Sequence, residues 1–109
     1  MADKITPKDL AAKKDQYVIV DMREPDEIQK EGKMEGAETI PLGRLVREIR
    51  HGGGDMANKL KGKKICIYCS VGYRGNIAAD ELKKEGFEAE TIEGGYTAWK
   101  EQQQQQQKQ

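Results

Sequence analysis

The 109 residues predict one α/β domain, a mainly parallel sheet with helices on both faces, on three observations. The apolar runs "YVIVD" (17–21) and "KKICIYC" (63–69) are continuous and rich in β-branched residues, as in strands buried on both faces. Stretches with helical spacing alternate with these runs, the pattern of parallel strands joined by helical crossovers. The length fills one domain around a single core and is too short for two.

Each element follows from its own residues. Thr6 caps a helix in "TPKDLAAKK", with Pro7 in its first turn and Leu10 and Ala11 on its apolar face. "YVIVD" is the next strand, and "EPDEIQKEG" is a short helix with an acidic first turn and Gly32 as its stop. "GAETIP" is a short strand closed by Pro41. In "LGRLVREIRHGGG", Leu42, Leu45, Val46 and Ile49 recur at helical spacing, and Gly52 to Gly54 end the helix in a flexible loop. "DMANKL" is a weaker helical piece before the strand at 63–69. "RGNIAADELKKEG" has the strongest helical pattern, with Ile77, Ala78 and Leu82 on one side and Gly86 as its stop. "FEAETIE" alternates as a strand, Gly94 and Gly95 turn the chain, and "YTAWKEQQQQQQKQ" is a helix fraying into a polar tail. The domain is thus expected over residues 1–100, with a solvated glutamine-rich tail over 101–109.

Nineteen basic and nineteen acidic residues leave no net charge, so the overall balance argues for neither nucleic acid nor a membrane surface as a partner. No run approaches the roughly 18 apolar residues of a spanning helix, and "MADKITPKDL" lacks the apolar centre of a signal peptide. A cytoplasmic protein is expected. In a reducing compartment Cys66 and Cys69 are expected as thiols, which directs attention to their chemistry.

Cys69 stands at the carboxyl end of its strand, where ligands bind in open sheets of this kind. The loop "SVGYRG" then feeds a helix whose first turn presents unpaired N–H groups and a partial positive charge. That position favours thiolate over thiol. Gly72 and Gly75 let several N–H groups converge into a small bowl, and Arg74 adds a cation. Cys69 is therefore expected to be a nucleophile that solvent and a substrate reach, with Ser70, Val71, Gly72, Tyr73, Arg74 and Gly75 as the substrate-binding loop.

Cys66 completes a formal C-x-x-C spacing, but side chains three apart on a strand point to opposite faces, so a core role is expected for it instead of a redox or zinc role. The single histidine, His51, stands beside the glycine loop with no second cluster of ligands. Neither a metal site nor a Cys-His pair is expected.

"DMREPDEIQKEGKMEGAETIP", "CSVGYRG" and "EGGYTAW" together resemble the three signatures of the rhodanese-like sulfurtransferases, in their usual order and separation. The resemblance spans Ile5 to about Trp99. It implies the rhodanese-like fold, a five-stranded mainly parallel sheet with helices on both faces. It also implies that Cys69 takes a sulfane sulfur from a donor, thiosulfate or a persulfide or polysulfide, holds it as a persulfide, and passes it to a thiophilic acceptor such as cyanide or a thiol. Inward N–H groups from Ser70 through Gly75 serve both the thiolate and the persulfide, and no cofactor is required. A persulfide carrier in a sulfur relay with a protein partner is the alternative reading. An inactive homologue is disfavoured by the retained Cys69.

Related phosphatases and arsenate reductases on this fold have one more loop residue than the "SVGY" found here, and the shorter loop suits a single sulfur better than a tetrahedral oxyanion. Arg74 is the loop's only cation for a doubly charged thiosulfate, so modest thiosulfate turnover is expected. Asp21 and Arg23 match the family's aspartate and arginine and are expected as a charge pair supporting the loop, with Glu27 joining that network. The family's frequent histidine is replaced in "KM", Lys33 and Met34. Gly94, Gly95 and Trp99 match the closing turn and helix, with Trp99 as a core anchor, and Tyr73 is placed at the rim of the pocket.

Overall fold

The computed structural model describes residues 3–52 and 54–107. Gly53 of the expected glycine loop, and Lys108 and Gln109 of the expected tail, lie outside the described residues. In chain order the elements are β1 (Asp3–Ile5), α1 (Pro7–Lys13), a 3-10 turn (Lys14–Gln16), β2 (Val18–Asp21), α2 (Pro25–Glu31), β3 (Glu38–Thr39), α3 (Leu42–His51), α4 (Asp55–Leu60), β4 (Lys64–Tyr68), α5 (Tyr73–Lys84), β5 (Glu88–Ile92) and α6 (Gly95–Gln107).

The five strands form one sheet in the order β1-β5-β4-β2-β3, with parallel pairing throughout the described residues. Three of them fall where apolar runs or alternation signal a strand, and β3 falls in the short segment closed by Pro41. β1 carries no such signal, because Asp3 and Lys4 are exposed and only Ile5 is buried, too short a pattern to read. It becomes a strand by pairing with the edge of β5, Asp3 opposite Glu90 and Ile5 opposite Ile92.

The strands separate two apolar clusters. Val20, Ile65, Ile67 and Cys69 face Leu45 and Ile49 of α3, Leu60 of α4, and Ala78, Ala79 and Leu82 of α5. Ile5, Ile19, Cys66, Tyr68 and Ile92 face Leu10 of α1 and Tyr96 and Trp99 of α6. Thus Cys66 and Cys69 lie in different clusters on opposite sides of the sheet.

Two helices depart from their expected readings. In α5 the buried stripe is Gly75, Ala78, Ala79 and Leu82, while Ile77 is 43 % exposed. At 3.6 residues per turn, positions 75, 78, 79 and 82 line up toward the sheet and position 77 falls beside them. α6 continues through Gln107, so residues 101–107 are helical, with Gln102 and Gln103 half-buried. Glutamine is a good helix former, and the run contains no breaker.

Asp21 and Tyr68, the last residues of β2 and β4, are register partners. From β2 the chain moves to β3 on one side, and from β4 to β5 on the other. The divergence opens a crevice at the carboxyl ends of these two strands, where Cys69 follows Tyr68.

Candidate active site

Between Tyr68 and the start of α5 the chain turns through Cys69, Ser70, Val71 and Gly72. Gly72 is the N-cap of α5 with φ +102°, a left-handed conformation open to glycine and costly for other residues. A glycine cap has no side chain to take the orphan amides of the first helical turn, and the sulfur of Cys69 does so instead. Its Sγ accepts hydrogen bonds from the N–H of Gly72 at 3.1 Å and of Gly75 at 3.2 Å. These two amides are the loop donors that reach the sulfur. Ser70 and Arg74 reach Glu27 instead, and Val71 and Tyr73 turn outward, 69 % and 74 % exposed.

The start of α6 holds the loop from the other side. Tyr96 N–H donates to the Cys69 carbonyl at 2.8 Å, and Thr97 N–H donates to the Ser70 carbonyl at 3.0 Å. Cys69 is 1 % exposed, which corrects the expectation of a nucleophile in contact with solvent. The hydrogen bonds that satisfy Sγ hold it at the start of α5, and the residue belongs to the apolar cluster shared with α3, α4 and α5.

Glu27 is the second correction. Instead of joining Asp21 and Arg23, it bridges α2 to the loop. Arg74 donates to it from Nη1 at 3.0 Å and Nη2 at 2.8 Å, and Ser70 Oγ donates at 3.3 Å. Glu27 Oε1 also accepts from the Glu24 N–H at 3.1 Å, within a capping box at the start of α2. The Arg74 guanidinium holds the Glu27 carboxyl at about 2, well below the usual carboxylate range. Arg74 therefore enters the site already paired, and the loop has no free cation. The sequence signal for Glu27 was its place three residues after Glu24, which reads as a local cap and does not reveal the partner on α5.

The model of the rhodanese-like domain family matches this chain over residues 6–102. The chain belongs to the rhodanese-like domain family. This is a family associated with sulfur transfer through a cysteine persulfide. Among solved structures, a rhodanese-related protein from Thermoplasma volcanium is 27 % identical with TM-score 0.76, over 92 % of each chain. A rhodanese-like domain protein from Staphylococcus aureus is 29 % identical with TM-score 0.71, over 89 % of this chain and 90 % of that one. A protein of unknown function from Rhodopseudomonas palustris, described as a possible tyrosine phosphatase, is 29 % identical with TM-score 0.83, over 94 % of this chain and 82 % of that one. No curated protein matches the chain.

Around the loop, this rhodanese-like domain places its remaining family-matched residues as supports. Asp21 and Arg23 are fully buried and doubly bonded, Arg23 Nε to Oδ1 at 3.0 Å and Nη2 to Oδ2 at 2.7 Å. Burial works against the Arg23 charge and Asp21 outweighs it, so its pKa stands above the ordinary value. Nη2 also donates to the Gly32 carbonyl at 2.6 Å, and the guanidinium lies 4.3 Å from the Tyr96 ring centroid. One arginine thus ties β2, α2 and α6 together beneath the loop. The carboxylate beside its Nη1 is Glu31, at 3.9 Å.

Lys33 Nζ donates to the Ala37 carbonyl at 2.8 Å, and Met34 N–H donates to Tyr68 Oη at 3.0 Å. Trp99 is buried in the cluster that contains Cys66. Burial pushes the Cys66 thiol up to about 12, so it is neutral and inert at ordinary pH. His51 ends α3 on an exposed surface, and among the described residues no three His, Cys, Asp or Glu side chains gather as a metal site. None of the described helices is long and apolar enough to cross a membrane.

Proposed function

We propose that this rhodanese-like domain is a cytoplasmic sulfurtransferase that moves a sulfane sulfur through a persulfide on Cys69, in the manner of a thiosulfate sulfurtransferase. The convergence of the Gly72 and Gly75 amides on Sγ carries the reading, because donors at 3.1 and 3.2 Å stabilise an anionic sulfur where α5 begins. The donor is thiosulfate or a persulfide or polysulfide. In the first step the Cys69 thiolate attacks the outer sulfur of the donor. A new S–S bond forms, the donor's bond breaks, and sulfite or a thiolate leaves with the electron pair. In the second step cyanide or an acceptor thiolate attacks the terminal sulfur, and Cys69 is released as the thiolate. Neither step draws on a metal or a redox cofactor.

The four residues between Cys69 and Arg74 support sulfur over phosphate, since a bowl closed by two amides on one atom is smaller than a tetrahedral oxyanion needs. The same size argument disfavours here the phosphatase activity suggested for the Rhodopseudomonas palustris neighbour. A second reading, a persulfide carrier serving a protein sulfur relay with little turnover of its own, is favoured by the buried sulfur beside exposed Val71, Tyr73 and Ile77.

The test is intact mass after exposure to thiosulfate and, separately, to a small persulfide. A gain of about 32 Da is expected in wild type and Cys66→Ser and absent in Cys69→Ser. Loss of the adduct in Cys66→Ser alone would assign the sulfur to the wrong cysteine. Loading from a cysteine desulfurase without turnover of thiosulfate and cyanide would favour the carrier.

A further inference from the structure

We infer that Glu27 is a specificity-determining residue that turns the Cys69 loop away from dianionic thiosulfate and toward a donor of low charge, an alkyl persulfide or a neutral polysulfide. The inference rests on the sulfur-transfer reading and adds the substrate class to it. Arg74 is the one cationic side chain in residues 69–75, and both of its terminal nitrogens are engaged by the two Glu27 oxygens, at 3.0 and 2.8 Å. The Ser70 hydroxyl donates to the same carboxylate at 3.3 Å. Glu24 adds a further negative charge felt by Arg74. Ser70 and Arg74 are thus turned onto a protein carboxylate, and the sulfur keeps two neutral amides. Lys4 lines a cavity of about 260 Å³ with Val71, Gly72 and Tyr73, and it makes no hydrogen bond to Sγ.

The chemistry separates the donors by charge. Thiosulfate and the Cys69 thiolate bring three negative charges into contact, and they leave as the Cys69 persulfide anion and sulfite with the same total. An alkyl persulfide brings one in its protonated form and two as the anion, fewer than thiosulfate in either state. The protonated form reacts: its S–S bond breaks as the Cys69–S bond forms, its proton stays on the transferred sulfur, and the alkyl thiolate departs with the electron pair. Repulsion between charges in a partly buried site is only weakly screened, so a bowl without net positive charge discriminates against the dianion.

The experiment compares single-turnover loading of Cys69 from thiosulfate and from an alkyl persulfide whose alkyl group carries no charge, in wild type and Glu27→Gln, with thermal melts to confirm folding. Wild type is expected to load from the persulfide at least about tenfold faster, relative to thiosulfate, than Glu27→Gln does. The gain of the variant should appear as a lower thiosulfate concentration at half-maximal loading rate, because Arg74 then attracts the dianion. Parallel changes with both donors, as a purely structural role would produce, overturn the inference. Wild type alone supplies an independent measure. Its thiosulfate kcat/KM should stay level or rise between about 0.05 and 0.5 M salt, and a fall of more than about threefold would reveal an unpaired cation and overturn the inference. If Cys69 gains no sulfur from either donor, the sulfur-transfer reading fails and takes this inference with it. Faster loading from thiosulfate than from persulfide in wild type defeats the inference alone.

Discussion

Gly95 presses on the loop that carries Cys69. A Cβ built at Gly95 would stand 2.7 Å from the carbonyl oxygens of Cys69 and Ser70 and from the amide nitrogen of Gly72, and Gly95 has φ +68°. Only a residue without a side chain lets α6 begin this close to the loop, so the turn at 94–95 belongs to the site as much as to the fold. Gly95→Ala combines a left-handed penalty of about 1–2 kcal/mol with backbone contacts that cannot yield. The variant is expected to melt several degrees lower and to lose most sulfur loading at Cys69, measured by thermal denaturation and intact mass. A variant that melts like wild type and loads fully would show that the loop does not depend on this approach.

Burial of Cys69 makes its labelling a measure of loop opening. In native protein, iodoacetamide is expected to modify Cys69 slowly, at a rate that rises with mild denaturant, while Cys66 stays unmodified until global unfolding. Cys66 is fully buried and its thiol is pushed up to about 12, so it lacks both access and thiolate. Peptide mapping of the labelled protein checks this, and earlier labelling of Cys66 would contradict the assignment of the two faces.

The Asp21–Arg23 pair is fully buried, so each partner neutralises a charge that water does not reach. Arg23→Met leaves the Asp21 carboxylate uncompensated and is expected to cost about 3–5 kcal/mol in urea denaturation. The double variant Asp21→Leu with Arg23→Met should cost less than the two single changes together, because no isolated charge remains. Additive losses would indicate that the two residues act independently.

The Glu27–Arg74 bridge sets an acid limit on stability. The Glu27 carboxyl is lowered from 4.5 to about 2 in the folded protein, so between those values the unfolded chain binds the extra proton. Its contribution is fully present above about pH 4.5 and fades as pH falls toward 2. Glu27→Gln is therefore expected to be less stable than wild type at neutral pH, with the difference shrinking across that window. Equilibrium unfolding at a series of acid pH values measures it, and a difference independent of pH would remove the ion pair as its source.

Local features of the chain were legible because their causes are local. Thr6 before Pro7 marks a helix start and receives the Asp9 N–H at 3.1 Å. The two-residue period of a strand suffices to send Cys66 and Cys69 to opposite sides of the sheet, and the glycine-punctuated stretch after Cys69 suffices to bring helix-start amides to its sulfur. What lies far apart in sequence was decided by packing. Glu27 and Arg74 are 47 residues apart, and nothing in either neighbourhood names the other, since any carboxylate on the covering helix satisfies the same local rules. β1 exists because β5 offers it an edge, and the loop of Cys69 is held in place because α6 starts against its carbonyls. Periodicity and caps are written in neighbouring residues. The pairing of charges and the covering of a sulfur follow from how helices seat on a finished sheet.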